Sequence, residues 1–204
     1  MAKSVKILST ETLSSYFFQL KKVKYEVENS KGVLEEINRE VYFSLNGVTA
    51  LLYNRQRRSV ILTQQFRLPS YLNQNPSGMM IEACAGLVEE GEDPEVGMIR
   101  EIEEETGYKI ENVEKLFELY STAGSVTEKL YYFVAEYDDN MKTSSGGGLA
   151  EESEDIEVIE LSFEDACFKV ESGEIKDAKT VILLQYAKIN IFGEDVEEKV
   201  FDIL

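Results

Sequence analysis

The stretch "AGLVEEGEDPEVGMIREIEEETGYKI", Ala85 to Ile110, decides how this chain is read. It sets Glu101, Glu103, Glu104 and Glu105 side by side in a segment whose one cation before Gly107 is Arg100. Asp93 is a good N-cap, and Pro94 suits the first helical position, where its missing N–H is no loss. Gly107 stands where a left-handed C-terminal cap is wanted. The spacing predicts a helix over Pro94 to Thr106. On such a helix Glu101, Glu104 and Glu105 share a face and Glu103 points aside. Like charges at that spacing destabilise an isolated helix by about 0.2–0.5 kcal/mol per pair, and by more where water is excluded. Two readings are open: a solvated acidic face, or a divalent cation seated between Glu101 and Glu105.

The rest of the composition narrows the chemistry. In 204 residues, 39 Asp and Glu oppose 21 Lys and Arg, a formal charge of -18 that repels phosphate backbones and anionic lipid, so neither nucleic acid nor a membrane is expected as a partner. There is no histidine. This excludes Ser-His-Asp and Cys-His triads, His-ligated zinc and an imidazole base. Cys84 and Cys167 are too few for a disulfide framework and read as small hydrophobes. No leader-like or membrane-length apolar run is visible, which points to a cytoplasmic protein.

Outward from the acidic helix the pattern is mixed. Residues Tyr16 to Phe43 alternate apolar and polar side chains around a turn at Asn29 to Gly32, a short antiparallel unit. Val48–Asn54, Ser59–Arg67 and "MMIEACAG" read as buried strands, with "LPSYLNQNPSG" a loop. Strands return in "VEKLFELYST", "EKLYYFVAEYD" and "IEVIELSF", and helices are expected near Phe163–Ser172 and from Lys179 to about Ile191. The expected class is α/β (α+β) with a mixed sheet, divided into an N-terminal β unit, 1–45, and a main domain, 46–204.

Gly86, five residues, Glu92, seven residues, Arg100-Glu101-Ile102, one residue, Glu104-Glu105, one residue, Gly107-Tyr108: this pattern resembles the Nudix hydrolase signature at every position. A chance match from average residue usage is on the order of one in a hundred million, which removes the reading as a merely solvated face. The resemblance implies an α/β/α sandwich. It also implies metal binding by the Glu101 and Glu105 carboxylates with the Ala85 carbonyl, the ions being Mg²⁺ or alternatively Mn²⁺. Glu104 and Arg100 complete the catalytic set.

The flanks "REVYFSLNGVTALLYN", "QQFRLPSYLN" and "SSGGGLAEESEDIEVIEL" are similar to the ADP-ribose pyrophosphatase subgroup, and within it to the GDP-mannose pyrophosphatases. This implies hydrolysis of a nucleoside diphosphate sugar, GDP-mannose first and ADP-ribose as the alternative. A non-catalytic nucleotide-sugar sensor is the alternative from another class. By the same resemblance Arg67 contacts a phosphate or the sugar, and Glu82 lies near the nucleotide, although it reads equally well as an outward strand residue. Glu128 borders the terminal sugar in "TAGSVTE", a loop that lacks the proline common in relatives. Arg39 and Glu40 belong to an N-terminal unit that relatives swap across a homodimer, where Tyr16, Phe17 or Phe18 would stack on the base. The Gly-rich stretch after Lys142 resembles a mobile acidic lid, with Glu152 as general base and Glu154 as a further metal ligand, among Glu151 to Asp155.

Overall fold

A computed structural model describes residues 4–149 and 155–193. The chain divides into two compact units. One comprises Met1–Gly47 and Glu118–Leu130; the other comprises Val48–Phe117 and Tyr131–Leu204.

The first unit is an antiparallel meander of β1 (Val5–Ser15), β2 (Gln19–Glu28) and β3 (Leu34–Phe43). The β2–β3 turn is set by Asn29. Its side-chain oxygen accepts from the backbone N–H groups of Lys31 and Val33, and Gly32 takes the left-handed conformation at φ 79°. Sequence reading places this turn and the strands around it but misses β1, whose apolar residues are irregularly spaced. Residues 122–127 return to the end of β3, with Tyr42 N–H donating to the Ser125 carbonyl and Thr127 N–H to that of Tyr42.

The second unit is built on a mixed sheet in the order β10-β5-β4-β9-β8. The strands are β4 (Gly47–Asn54), β5 (Ser59–Phe66), β8 (Glu114–Leu119), β9 (Leu130–Glu136) and β10 (Glu157–Ser162). Side chains of β4 alternate between two cores. Val48, Ala50 and Leu52 pack with Met98 and Ile102 of α2 (Pro94–Thr106), while Tyr53 sends its ring toward Phe192, just past α4 (Ala178–Asn190). Helix α3 (Phe163–Glu171) packs with α4, giving the expected three layers. The helix predicted over Pro94 to Thr106 is found at those bounds. Asp93 accepts from Glu95 N–H at 2.9 Å, and Gly107 caps the other end at φ 75°.

"MMIEACAG" is not one strand. Strands β4 and β5 pair only near their turn, from Leu52↔Ile61 to Asn54↔Ser59, and the segment serves both beyond it. Residues Met79–Glu82 (β6) pair with β5, and Cys84–Leu87 (β7) pair with β4, so the chain changes partner at Ala83. A partner change strands backbone polar groups, and three buried threonines satisfy them. Thr63 Oγ1 donates to the Glu82 carbonyl at 3.3 Å and Thr49 Oγ1 to that of Cys84 at 3.0 Å. Ala83 N–H donates to Thr180 Oγ1 at 2.7 Å. The loop after β5 also contains a short helix, α1 (Leu68–Leu72), where an irregular loop is expected.

Thr180→Val keeps the shape of the side chain but leaves Ala83 N–H buried without an acceptor. A loss of about 1–3 kcal/mol is expected, read as a lower denaturant midpoint at unchanged slope. An unaltered midpoint would show that the crossover does not need this hydroxyl.

Candidate active site

The site forms where α2 lies against β7. A side chain on Gly86 would occupy the space of the Glu101 carboxyl, so only glycine lets that carboxylate lie on the strand backbone. One turn later Glu105 is 1% exposed, and its Oε2 accepts from Ala85 N–H at 3.1 Å. Both carboxylates are thereby held against Ala85 and Gly86, while Glu103 is exposed. Hard oxygen donors of this kind suit a small divalent cation. Among the described residues no three acidic or cysteine side chains converge as a ready metal cluster. Glu151, Glu152 and Glu154 lie outside the described residues.

Arg100 organises the acidic face. Its Nε and Nη2 donate to Glu92 at 3.2 and 3.3 Å, and Nη2 also donates to the Leu87 carbonyl at 3.2 Å. Nη1 reaches Glu101 at 2.9 Å and Glu104 at 3.1 Å. Five contacts match the five N–H groups of a guanidinium, which lysine cannot reproduce. The bond from Arg100 holds the Glu92 carboxyl below its ordinary value, outweighing the burial that raises it, with Glu89 N–H adding a further bond. Glu92 in return does most to raise the Arg100 pKa.

The glycines before the acidic loop bond to the end of α2. Gly147 N–H donates to the Glu105 carbonyl at 2.9 Å and Gly148 N–H to that of Glu104 at 3.1 Å. Thr143 and Ser144 donate to the carbonyl of Gly107. A Cβ on Gly107 or Gly146 would strike the opposite backbone, so these glycines are there for close approach. Residues 143–148 are thus hydrogen-bonded to the end of α2, while 150–154, which carry the acids of the expected lid, lie outside the described residues.

Arg67 follows β5, and its Nε donates to Glu82 Oε2 at 2.7 Å, so these two expected residues do meet. Glu82 is 4% exposed and points inward, which closes the outward-strand alternative. Its other oxygen takes Lys179 Nζ at 2.6 Å, and Lys179 also pairs with Asp177, the α4 N-cap, at 3.1 Å. Burial works to lower the Lys179 pKa, but Glu82 and Asp177 outweigh it and hold it above its ordinary value. Sequence reasoning missed Lys179. The available signal was a lysine two residues past an N-cap Asp, where the helix dipole disfavours a cation unless acids hold it.

The other expected residues lie in the N-terminal unit. Tyr16 and Phe17 are exposed, with Phe17 edge-on to Phe18 at 4.7 Å. In the β2–β3 register Arg39 stands opposite Val23, and Glu40 opposite Lys22. Arg39 donates to the Asn38 carbonyl, and Glu128 is half-buried beside Thr127.

Comparison with known proteins follows this geometry. The NUDIX domain profile matches residues 44–184, and that of the GDP-mannose pyrophosphatase NudK N-terminal domain matches 4–42. The chain is 46% identical over 189 residues to a GDP-mannose pyrophosphatase of Cronobacter sakazakii, covering 93% of this chain and 97% of that one. It is 47% identical over 189 residues to that of Pectobacterium atrosepticum, covering 93% and 96%. A solved structure described as an ADP compounds hydrolase shares the fold, with a TM-score of 0.66 at 20% identity, over 90% of this chain and 92% of that chain.

Because the folded pKa of Glu92 is depressed, the stability it contributes is present above its ordinary value of 4.5 and is lost as pH falls through the lower folded value. Glu92→Gln should remove that part of the acid-unfolding slope. At pH 7 Arg100→Lys should cost about 1–3 kcal/mol, since one ammonium replaces a five-bond fork. Acid unfolding of Glu92→Gln along the wild-type curve would contradict the pairing.

Proposed function

We infer the reaction from one premise: this chain belongs to the Nudix family. Its reaction is hydrolysis of the pyrophosphate of a nucleoside diphosphate sugar. GDP-mannose, cleaved to GMP and mannose 1-phosphate, is the substrate that the relatives' names support best. The observation that carries the mechanism is the seating of Glu101 and Glu105 on the β7 backbone under the Arg100 fork.

Nudix hydrolases generally use divalent metals, and we assign Mg²⁺, with Mn²⁺ able to replace it. Glu101, Glu105 and the Ala85 carbonyl would hold it, with Glu154 as a further ligand. Such an ion, when bound, neutralises the pyrophosphate, polarises phosphorus and activates water. The protein supplies the rest. Arg100 fixes the Glu101 and Glu104 carboxylates so that they need no reordering during the reaction. Glu152 takes the proton from the attacking water as the phosphorus–oxygen bond of the pyrophosphate breaks. Arg67 offers its terminal nitrogens to a substrate phosphate.

Arg39, Glu40, Glu128 and the aromatic pair Tyr16 and Phe17 belong to the nucleoside and sugar pockets in this reading, with residues 1–45 exchanged across a homodimer and 46–204 forming the hydrolase domain. The exposed apolar side chains of Val5, Ile7 and Leu13 on β1 support such a contact between copies. A cytoplasmic location belongs to the same reading. No helix among the described residues is long and apolar enough to cross a membrane.

The test is kcat/KM for GDP-mannose and ADP-ribose with Mg²⁺, measured by product chromatography. A preference of about tenfold or more for GDP-mannose is expected, together with a loss of about a hundredfold or more in Glu101→Gln. Preference for ADP-ribose would move the substrate assignment and leave the chemistry. Full turnover by Glu101→Gln would overturn the site.

A further inference from the structure

The layer of α3 and α4 carries a groove that the hydrolytic reading does not use. It encloses about 470 Å³, and Phe163, Cys167 and Phe168 of α3 line it together with Phe192, just past α4. Phe163 and Phe192 are the buried part of the lining, their ring centroids 4.3 Å apart. Phe168 is 68% exposed, an apolar wall left to solvent.

The chain itself runs into this groove, since Gly193 is part of the lining. Two arginines of the β4–β5 turn fix that exit. Arg55 Nη1 donates to the Ile191 carbonyl at 2.9 Å and Arg58 Nη1 to that of Phe192 at 3.4 Å, with the Arg58 guanidinium 5.3 Å from the Phe192 ring centroid. Gly193 lies against the last turn of α4, where a Cβ would stand 2.8 Å from the Ile189 carbonyl oxygen. Whatever follows Gly193 therefore starts at the edge of the groove.

The sequence that follows is "EDVEEKVFDIL", 194–204. Its Val196, Val200, Ile203 and Leu204 recur at the i, i+4, i+7, i+8 spacing of one helix face. So short a helix is marginal alone and needs a surface on which to bury such a stripe. It would reach on the order of 16 Å, enough to cover a groove that begins at its own root. The charges match as well. The segment carries the acids Glu194, Asp195, Glu197, Glu198 and Asp202 with one cation, Lys199. The groove offers Lys188 and Glu171, neither with a salt bridge among the described residues, whereas its Arg58 is paired with Glu164.

We propose that residues 194–204 dock on this groove as an amphipathic helix, laying Val196, Val200, Ile203 and Leu204 against Phe168 and the Phe163–Phe192 pair and covering Cys167. Lys188 meets the acids of the segment. The occupant is the chain's own segment rather than a second copy, because attachment at the edge of the groove gives it an effective concentration that a free partner lacks. This surface is independent of the reaction assigned above.

The chain has no tryptophan, so Val200→Trp in the full chain introduces a single reporter. Its emission should be blue-shifted from that of the same protein in denaturant, should not change on dilution, and should move to the red when Phe168→Ser is added. Alkylation by iodoacetamide gives a second reading, since Cys84 is buried and Cys167 lines the groove. The double variant Val200→Ser, Leu204→Ser should be alkylated about fivefold or more faster than wild type. Emission at the denatured position that ignores Phe168→Ser would overturn the inference, as would equal alkylation rates in wild type and the double variant. A blue shift lost on dilution would mean that a second copy supplies the segment, which overturns docking within one chain.

Discussion

The burial of two like charges on one helix face constrains the rest of this fold. Glu101 and Glu105 are one turn apart, and α2 presses both onto the backbone of β7. Carboxylates moved out of water are costly unless hydrogen bonds or opposite charges meet them. The surroundings answer this from three sides. Arg100 spreads five N–H groups over Glu92, Glu101, Glu104 and the Leu87 carbonyl. Ala85 N–H meets Glu105, and the glycines of 146–148 close over the carbonyl end of the helix.

That arrangement requires a strand at the right depth, and the crossover at Ala83 provides it. Because β4 and β5 separate beyond their turn, one short segment fills the fork, pairing first with β5 and then with β4. The same segment carries Glu82 with its two cations and, three residues on, Ala85 beside the acidic helix. The buried threonines 49, 63 and 180 absorb the polar cost of the change of partner. Glu82, which holds Arg67, and Ala85, which meets Glu105, are three residues apart in near-extended chain, on the order of 10 Å.

What was legible in the sequence was local chemistry. Asp93, Pro94 and Gly107 mark α2 at both ends, and the i, i+4 rule identifies Glu101 and Glu105 as neighbours. The break in "MMIEACAG" was not legible, because a partner change leaves the apolar run uninterrupted and shows only in which neighbours satisfy each carbonyl. Strand β1 was missed because its apolar residues, among them Val5, Ile7 and Leu13, are exposed and obey no core-facing alternation. Lys179 was invisible to motif reading because its partner Glu82 lies 97 residues away in sequence. The glycines of 146–148 suggested flexibility by composition, whereas their positive φ values of 67°, 117° and 76° serve contact with α2.

The central claim is that the buried acidic pair is a destabilising arrangement which a divalent cation relieves. Thermal unfolding of wild type and Glu105→Gln, each in chelator and in Mg²⁺, tests it directly. In chelator Glu105→Gln should melt at or above the wild-type temperature, because the amide keeps the bond from Ala85 N–H and sheds the repulsion. Mg²⁺ at about a hundred times its dissociation constant should stabilise wild type by about 2.7 kcal/mol and the variant by far less. If instead Glu105→Gln lowers the melting temperature equally with and without Mg²⁺, the carboxylate is a structural hydrogen-bond acceptor and the cation site is not where α2 meets β7.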